Sequence, residues 1–178
     1  MTLSAAILAS NLLVKQVGDE LRVSAPNFHF LHAKSLDRVQ SGNSIAFDFQ
    51  LQALGASKSD VLQRSFERFV ISYDLWEQTY SVTRMRGKHG QGQHLTPSQV
   101  ESWCIENMAL PTLQLPKGEP LYVRLEIRAV EGKASDPVFD DAGLSLSSLI
   151  EVFSRASRAA KPVDYWKLET GPVLLGQL

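Results

Sequence analysis

The residues best equipped to bind something fall between Ser72 and His94. The run Arg84-Met-Arg-Gly-Lys-His-Gly-Gln-Gly-Gln-His94 sets Arg84, Arg86, Lys88, His89 and His94 among three glycines. A basic, glycine-rich loop can cradle an anion through its main-chain N–H groups. A phosphate loop additionally needs Gly-Lys-Ser/Thr opening directly into a helix. Here Gly87-Lys88 is followed by His89, and the next helix start lies further on, at Thr96. His89 and His94 could share a metal, but no carboxylate or cysteine neighbours them in sequence. The plainer expectation is a solvated hairpin or connecting loop over Gly87–Leu95.

A second candidate is Ile71-Ser-Tyr-Asp-Leu-Trp-Glu77. Strand alternation turns Tyr73 and Leu75 inward and leaves Ser72, Asp74 and Trp76 on the opposite face. A tryptophan beside an acid on an exposed face could bind a sugar or a peptide. The plain alternative packs Trp76 beneath a helix and pairs Asp74 with an arginine such as Arg84. The expected binding set is therefore Ser72, Asp74, Trp76, Arg84, Arg86 and Lys88. A third candidate is Gly132–Asp141, whose Asp136, Asp140 and Asp141 are hard oxygen ligands of the kind calcium takes. Its Ser-Asp-Pro-Val run resembles a calcium loop of C2 domains, which are β-sandwiches. That family needs further aspartates from another loop, and none is evident, so an acidic solvated turn is the expectation.

Constellations for catalysis are missing. There is no Gly-x-Ser-x-Gly elbow and no His-Glu-x-x-His. Cys104 falls on the apolar face of an expected helix, where it reads as a small hydrophobe. His29 and His32 have no acidic neighbour in sequence. No catalytic residue, metal or cofactor is named on this sequence, and an enzyme assembled from scattered residues stays as the third and least favoured reading.

The elements that must position these residues are mostly strands. Leu121, Val123, Leu125, Ile127 and Ala129 alternate with Tyr122, Arg124, Glu126 and Arg128; Ile45, Phe47, Phe49, Leu51 and Ala53 alternate with Ala46, Asp48, Gln50 and Gln52. Phe69–Leu75 and Thr79–Met85 add two more strands. Leu12–Val17 and Glu20–Ala25 flank Gly18-Asp19, a hairpin signal. A last pair, Asp164–Glu169 and Pro172–Leu175, flanks Thr170-Gly171. Helical spacing occurs twice. Thr96, Pro97 and Gln99 open one helix with a capping box, and Val100, Trp103, Cys104 and Met108 form its apolar face before Pro111. Ser148 and Glu151 open a second, which Pro162 ends.

These elements predict one domain over residues 1–178: an antiparallel two-sheet β-sandwich of about seven or eight strands with two helices. The chain has 178 residues with 44% hydrophobic and 21% charged. That is enough for a core without staples. The net charge of −1 gives no reason to expect nucleic acid as a partner. The single cysteine excludes an intramolecular disulfide. No run is long and apolar enough to span a bilayer. The first ten residues are apolar and small but lack a basic start. They are read as the first strand, with the start of a processed precursor as the alternative. The location is cytoplasmic on this sequence, and periplasmic if an upstream signal peptide has been removed.

The segment Arg68–Arg84, centred on Ser72-Tyr-Asp-Leu-Trp-Glu77, resembles uncharacterised bacterial domain-of-unknown-function families linked to the cell envelope. The order beyond it is similar too: a helix carrying Trp103-Cys104, a Leu-Pro turn at Leu110-Pro111 or Leu115-Pro116, and the strand Leu121–Ala129. The resemblance covers residues 40–170. It implies a bacterial, non-enzymatic accessory domain and carries no catalytic residue over. The functional expectation is a non-catalytic binding or assembly module whose partner is a protein, a second copy of the chain or the cell envelope. The alternative is a C2-like sandwich binding a small ligand, an anion or calcium.

Overall fold

The computed structural model describes residues 12–86, 90–130 and 164–178. In chain order the elements are β1 (Leu13–Val17), β2 (Glu20–Ser24), α1 (Ala33–Gln40), β3 (Ile45–Leu54), β4 (Val61–Asp74), β5 (Thr79–Arg84), β6 (Gly90–Leu95), α2 (Pro97–Glu106), β7 (Ala109–Pro111), β8 (Leu121–Ala129) and β9 (Tyr165–Val173). They build two antiparallel sheets, one of three strands in the order β1-β2-β7 and one of six in the order β6-β5-β4-β3-β8-β9. The fold is mostly β and is a β-sandwich.

Alternation places the core. Phe47, Phe49 and Leu51 of β3 lie beside Ala129, Ile127 and Leu125 of β8, and beside Phe69, Glu67 and Ser65 of β4. Leu21 and Val23 of β2 and Leu110 of β7 close the same core from the small sheet, and Val39 of α1 with Val100, Cys104 and Ile105 of α2 join it. Phe30, between β2 and α1, sits at the centre, its ring 5.0 Å from that of Phe47 and 5.4 Å from that of Phe49. Both described helices thus pack on one face of the large sheet.

The other face of β3 is buried as well, with Asp48 1%, Gln50 3% and Gln52 6% exposed. Gln50 Oε1 and Gln52 Oε1 find no hydrogen-bond partner among the described residues. β3 lies deep within the six-stranded sheet, with strands on both flanks.

The structure refines one expectation and alters two others. The segment Gly90–Leu95, expected as a hairpin or connecting loop, is the edge strand of a hairpin with β5. Gly92 fits closely in this pairing: a Cβ there would meet Leu95 Cδ1 at 2.8 Å and Val82 Cγ1 at 3.1 Å, so those side chains would have to shift. The expected C-terminal hairpin is a single strand, β9, running antiparallel to β8. Thr170-Gly171 is an irregularity within it: Gly171 has φ +133°, and a Cβ would come within 2.8 Å of the Leu121 carbonyl oxygen. Only glycine tolerates that conformation and approach. Val173 and Leu175 are partly buried against the protein's own core, and β9 forms an edge of the large sheet. Finally, α1 was not expected. Its His32 cap offers no side-chain hydrogen bond, so the usual start signal is missing. The helix expected from Ser148, the acidic run Gly132–Asp141 and Lys88 lie outside the described residues.

Candidate functional site

The β4–β5 hairpin protrudes. β3 begins at Ile45, opposite Ile71, so Ser72, Tyr73 and Asp74 pair with β5 alone. At a strand rise of about 3.3 Å per residue, the hairpin extends roughly 10 Å beyond the start of β3. The Tyr73 and Tyr80 rings pack across it, tilted by 55° with centroids 4.8 Å apart. Gln40 Nε2 donates to Tyr80 Oη at 2.8 Å, tying the hairpin to the end of α1.

Its tip is braced from within. Asp74 Oδ1 accepts hydrogen bonds from the main-chain N–H groups of Trp76 at 2.8 Å and Glu77 at 3.0 Å. This is how an aspartate stabilises a turn. The N–H groups of Glu77 and Trp76 hold the Asp74 carboxyl below its ordinary value of 3.8, so it stays anionic. Gln78 takes φ +55°, closing the turn. Glu77 Oε2 lies 2.8 Å from His94 Nδ1 on β6. Held on this frame are two apolar side chains, Leu75 at 62% exposed and Trp76 at 95%.

The expected alternatives for these residues do not occur. Trp76 is not packed beneath a helix, and Asp74 caps its own turn without reaching Arg84. Leu75, expected inward, faces solvent because the strand ends at Asp74 and the turn breaks the alternation.

Arg84 and Arg86 sit elsewhere. β5 pairs Asp74 with Thr79 at one end and Phe69 with Arg84 at the other. The separation is about 17 Å along the strand. Ser72 and Asp74 lie on the outer face, while Arg84 shares the core-side face with Phe69. There Arg84 Nε donates to Glu67 Oε2 at 2.5 Å, and the Arg86 main-chain N–H donates to Glu67 Oε1 at 2.8 Å. Glu67 is 3% exposed, and burial raises its carboxyl above the ordinary 4.5 even though Arg84 pulls the other way. The expected binding set therefore divides into a tip group (Ser72, Asp74, Trp76) and a Glu67-bound pair (Arg84, Arg86).

A further cluster escaped the sequence. Glu101 of α2 is 3% exposed. Its Oε1 accepts from the Phe30 and Leu31 N–H groups, both at 2.7 Å, and its Oε2 lies 2.6 Å from His29 Nδ1. A carboxylate orienting an imidazole makes up two of the three members of a catalytic triad. No nucleophile is bonded to His29 among the described residues, and Glu101 is spent on two main-chain donors. The cluster works as a clamp that fixes Phe30 in the core. Its partners are 70–72 residues apart in the chain, so no spacing signalled it.

No family profile, curated protein or solved structure matches this chain. Among the described residues no three histidines, cysteines or carboxylates gather as metal ligands, and no helix is long and apolar enough to cross a membrane.

Proposed function

We propose that the protein is a binding module that engages its partner through the β4–β5 hairpin tip. The carrying observation is Trp76, 95% exposed on a turn held by Asp74 and next to Leu75. An indole left in water forfeits the burial worth about 25 cal/mol per Å² that it would gain in an interface. Single surface hydrophobes are ordinary. Two adjacent ones at the end of a protruding, internally bonded hairpin form an anchor, and exposed aromatic anchors dominate binding energies. The β-sandwich is the scaffold that holds the tip out. The resemblance to envelope-linked bacterial families accords with an accessory role of this kind.

The test is in the organism that makes the chain. A photoreactive phenylalanine analogue at position 76 should yield a discrete adduct, and the same analogue at exposed Leu113 should not. Equal, diffuse labelling from both positions would remove the tip from the reading.

A further inference from the structure

Resting on the reading of the tip as the contact point, we infer that its partner is a polypeptide carrying basic residues, which lies along the open edge of β4 at Ser72–Asp74 and receives Trp76 in an apolar pocket.

Three observations carry this. The first is the edge. β3 starts only at Ile45, opposite Ile71, so among the described residues no strand pairs with the β3 side of Ser72, Tyr73 and Asp74. Main-chain donors and acceptors along an open strand edge are best satisfied by another extended chain. A sugar or a bilayer offers no such ladder. The second is Leu75, 62% exposed beside Trp76. A sugar stacks on one indole face but leaves a neighbouring leucine wet. A protein pocket takes both.

The third is charge. From Val70 to Thr83 the hairpin contains Asp74 and Glu77 and no lysine or arginine. The Asp74 carboxylate is held by two N–H groups, and Glu77 is 54% exposed at its side chain beside His94. Negative charge flanking the anchor is repelled by anionic lipid and is matched by a partner with lysine or arginine around its pocket.

The experiment uses the full chain as bait against a displayed library of random extended peptides, with vesicles of neutral and of one-third anionic lipid, and a panel of oligosaccharides, run in parallel. Selected peptides should be enriched in lysine and arginine. Their affinity should fall about thirtyfold in Trp76→Ala, the loss expected of an aromatic anchor. It should fall about tenfold in Glu77→Lys, and it should weaken with added salt. Both positions are exposed, so the variants fold. Peptides that depend on Trp76 but show no basic bias and ignore Glu77→Lys would overturn the charge inference and leave the tip as the contact point. Trp76-dependent binding to vesicles or oligosaccharides in place of peptides would overturn the polypeptide. If Trp76→Ala changes binding to none of the probes, the reading of the tip fails with it.

Discussion

The Arg68 guanidinium grips the Asp48 carboxylate through two hydrogen bonds, Nε to Oδ1 at 2.6 Å and Nη2 to Oδ2 at 2.8 Å. The two side chains are 4% and 2% exposed and stand opposite each other on β4 and β3. A buried pair this well formed is costly to break, because the survivor is left as an uncompensated charge. Asp48→Ala should lower stability by about 3–5 kcal/mol in urea unfolding. Replacing both residues together, Asp48→Leu with Arg68→Met, should cost much less than the single change. Equal losses from the single and double variants would show that the charges themselves are not what the site needs.

Glu101 should matter far more than the histidine it touches. Its carboxylate takes three donors, and hydrogen bonds to a charged group are worth about 1.5–3 kcal/mol each. Glu101→Ala frees the Phe30 and Leu31 N–H groups inside the protein and should cost at least about 3 kcal/mol. His29 is 63% exposed at its side chain, so His29→Ala should cost under about 1 kcal/mol. Denaturant midpoints of the two variants decide it. Similar losses would make the pair, not the main-chain clamp, the stabilising contact.

The strands were legible where one face is apolar. β8 lies within one residue of its expected bounds because Leu121 to Ala129 alternate without interruption. The α2 capping box was legible because its three signals, Thr96, Pro97 and Gln99, are local, and Thr96 and Gln99 bond each other as expected. The first half of β4 was not. Val61-Leu-Gln-Arg-Ser-Phe-Glu-Arg68 has no clean alternation, since its Arg68 is buried by pairing with Asp48 and its Glu67 by pairing with Arg84. Pairing partners twenty and seventeen residues away override the polar signal. For the site, the residue types at the tip were visible, but their exposure was not. That depends on β3 starting only at Ile45, opposite Ile71, while β4 runs on to Asp74, an offset between strand ends that periodicity cannot report.

Cys104 should be chemically silent in the folded chain. It is fully buried on the core side of α2. Burial pushes its thiol well above the ordinary 9.0, and the neighbouring Glu101 charge adds to the effect. The thiolate is the reactive form, so a disulfide reagent at neutral pH should modify Cys104 only as fast as the chain opens. The rate should rise sharply across the unfolding transition. Rapid stoichiometric modification under native conditions would place the thiol at the surface and contradict the packing of α2.

The pH dependence of stability should carry two opposing contributions. Burial raises the folded Glu67 carboxyl above 4.5, despite Arg84 and the N–H groups of Arg86 and Arg68. A group that holds its proton more tightly when folded stabilises fully below its unfolded value, and that share is lost as pH rises through the folded value. Glu169 behaves in the opposite way. Burial pushes its carboxyl up, but hydrogen bonds from Lys58 and Arg124 outweigh this and hold it below 4.5. Its share is present above 4.5 and is lost as pH falls. Urea unfolding of the native chain, Glu67→Gln and Glu169→Gln across about pH 3–8 separates the two. The stability difference between the native chain and Glu67→Gln should shrink as pH rises above 4.5. The difference for Glu169→Gln should grow from low pH and then level off. A Glu67 difference that instead grows with pH would show that Arg84 outweighs burial at that carboxyl, and that Glu67 is held as an anion.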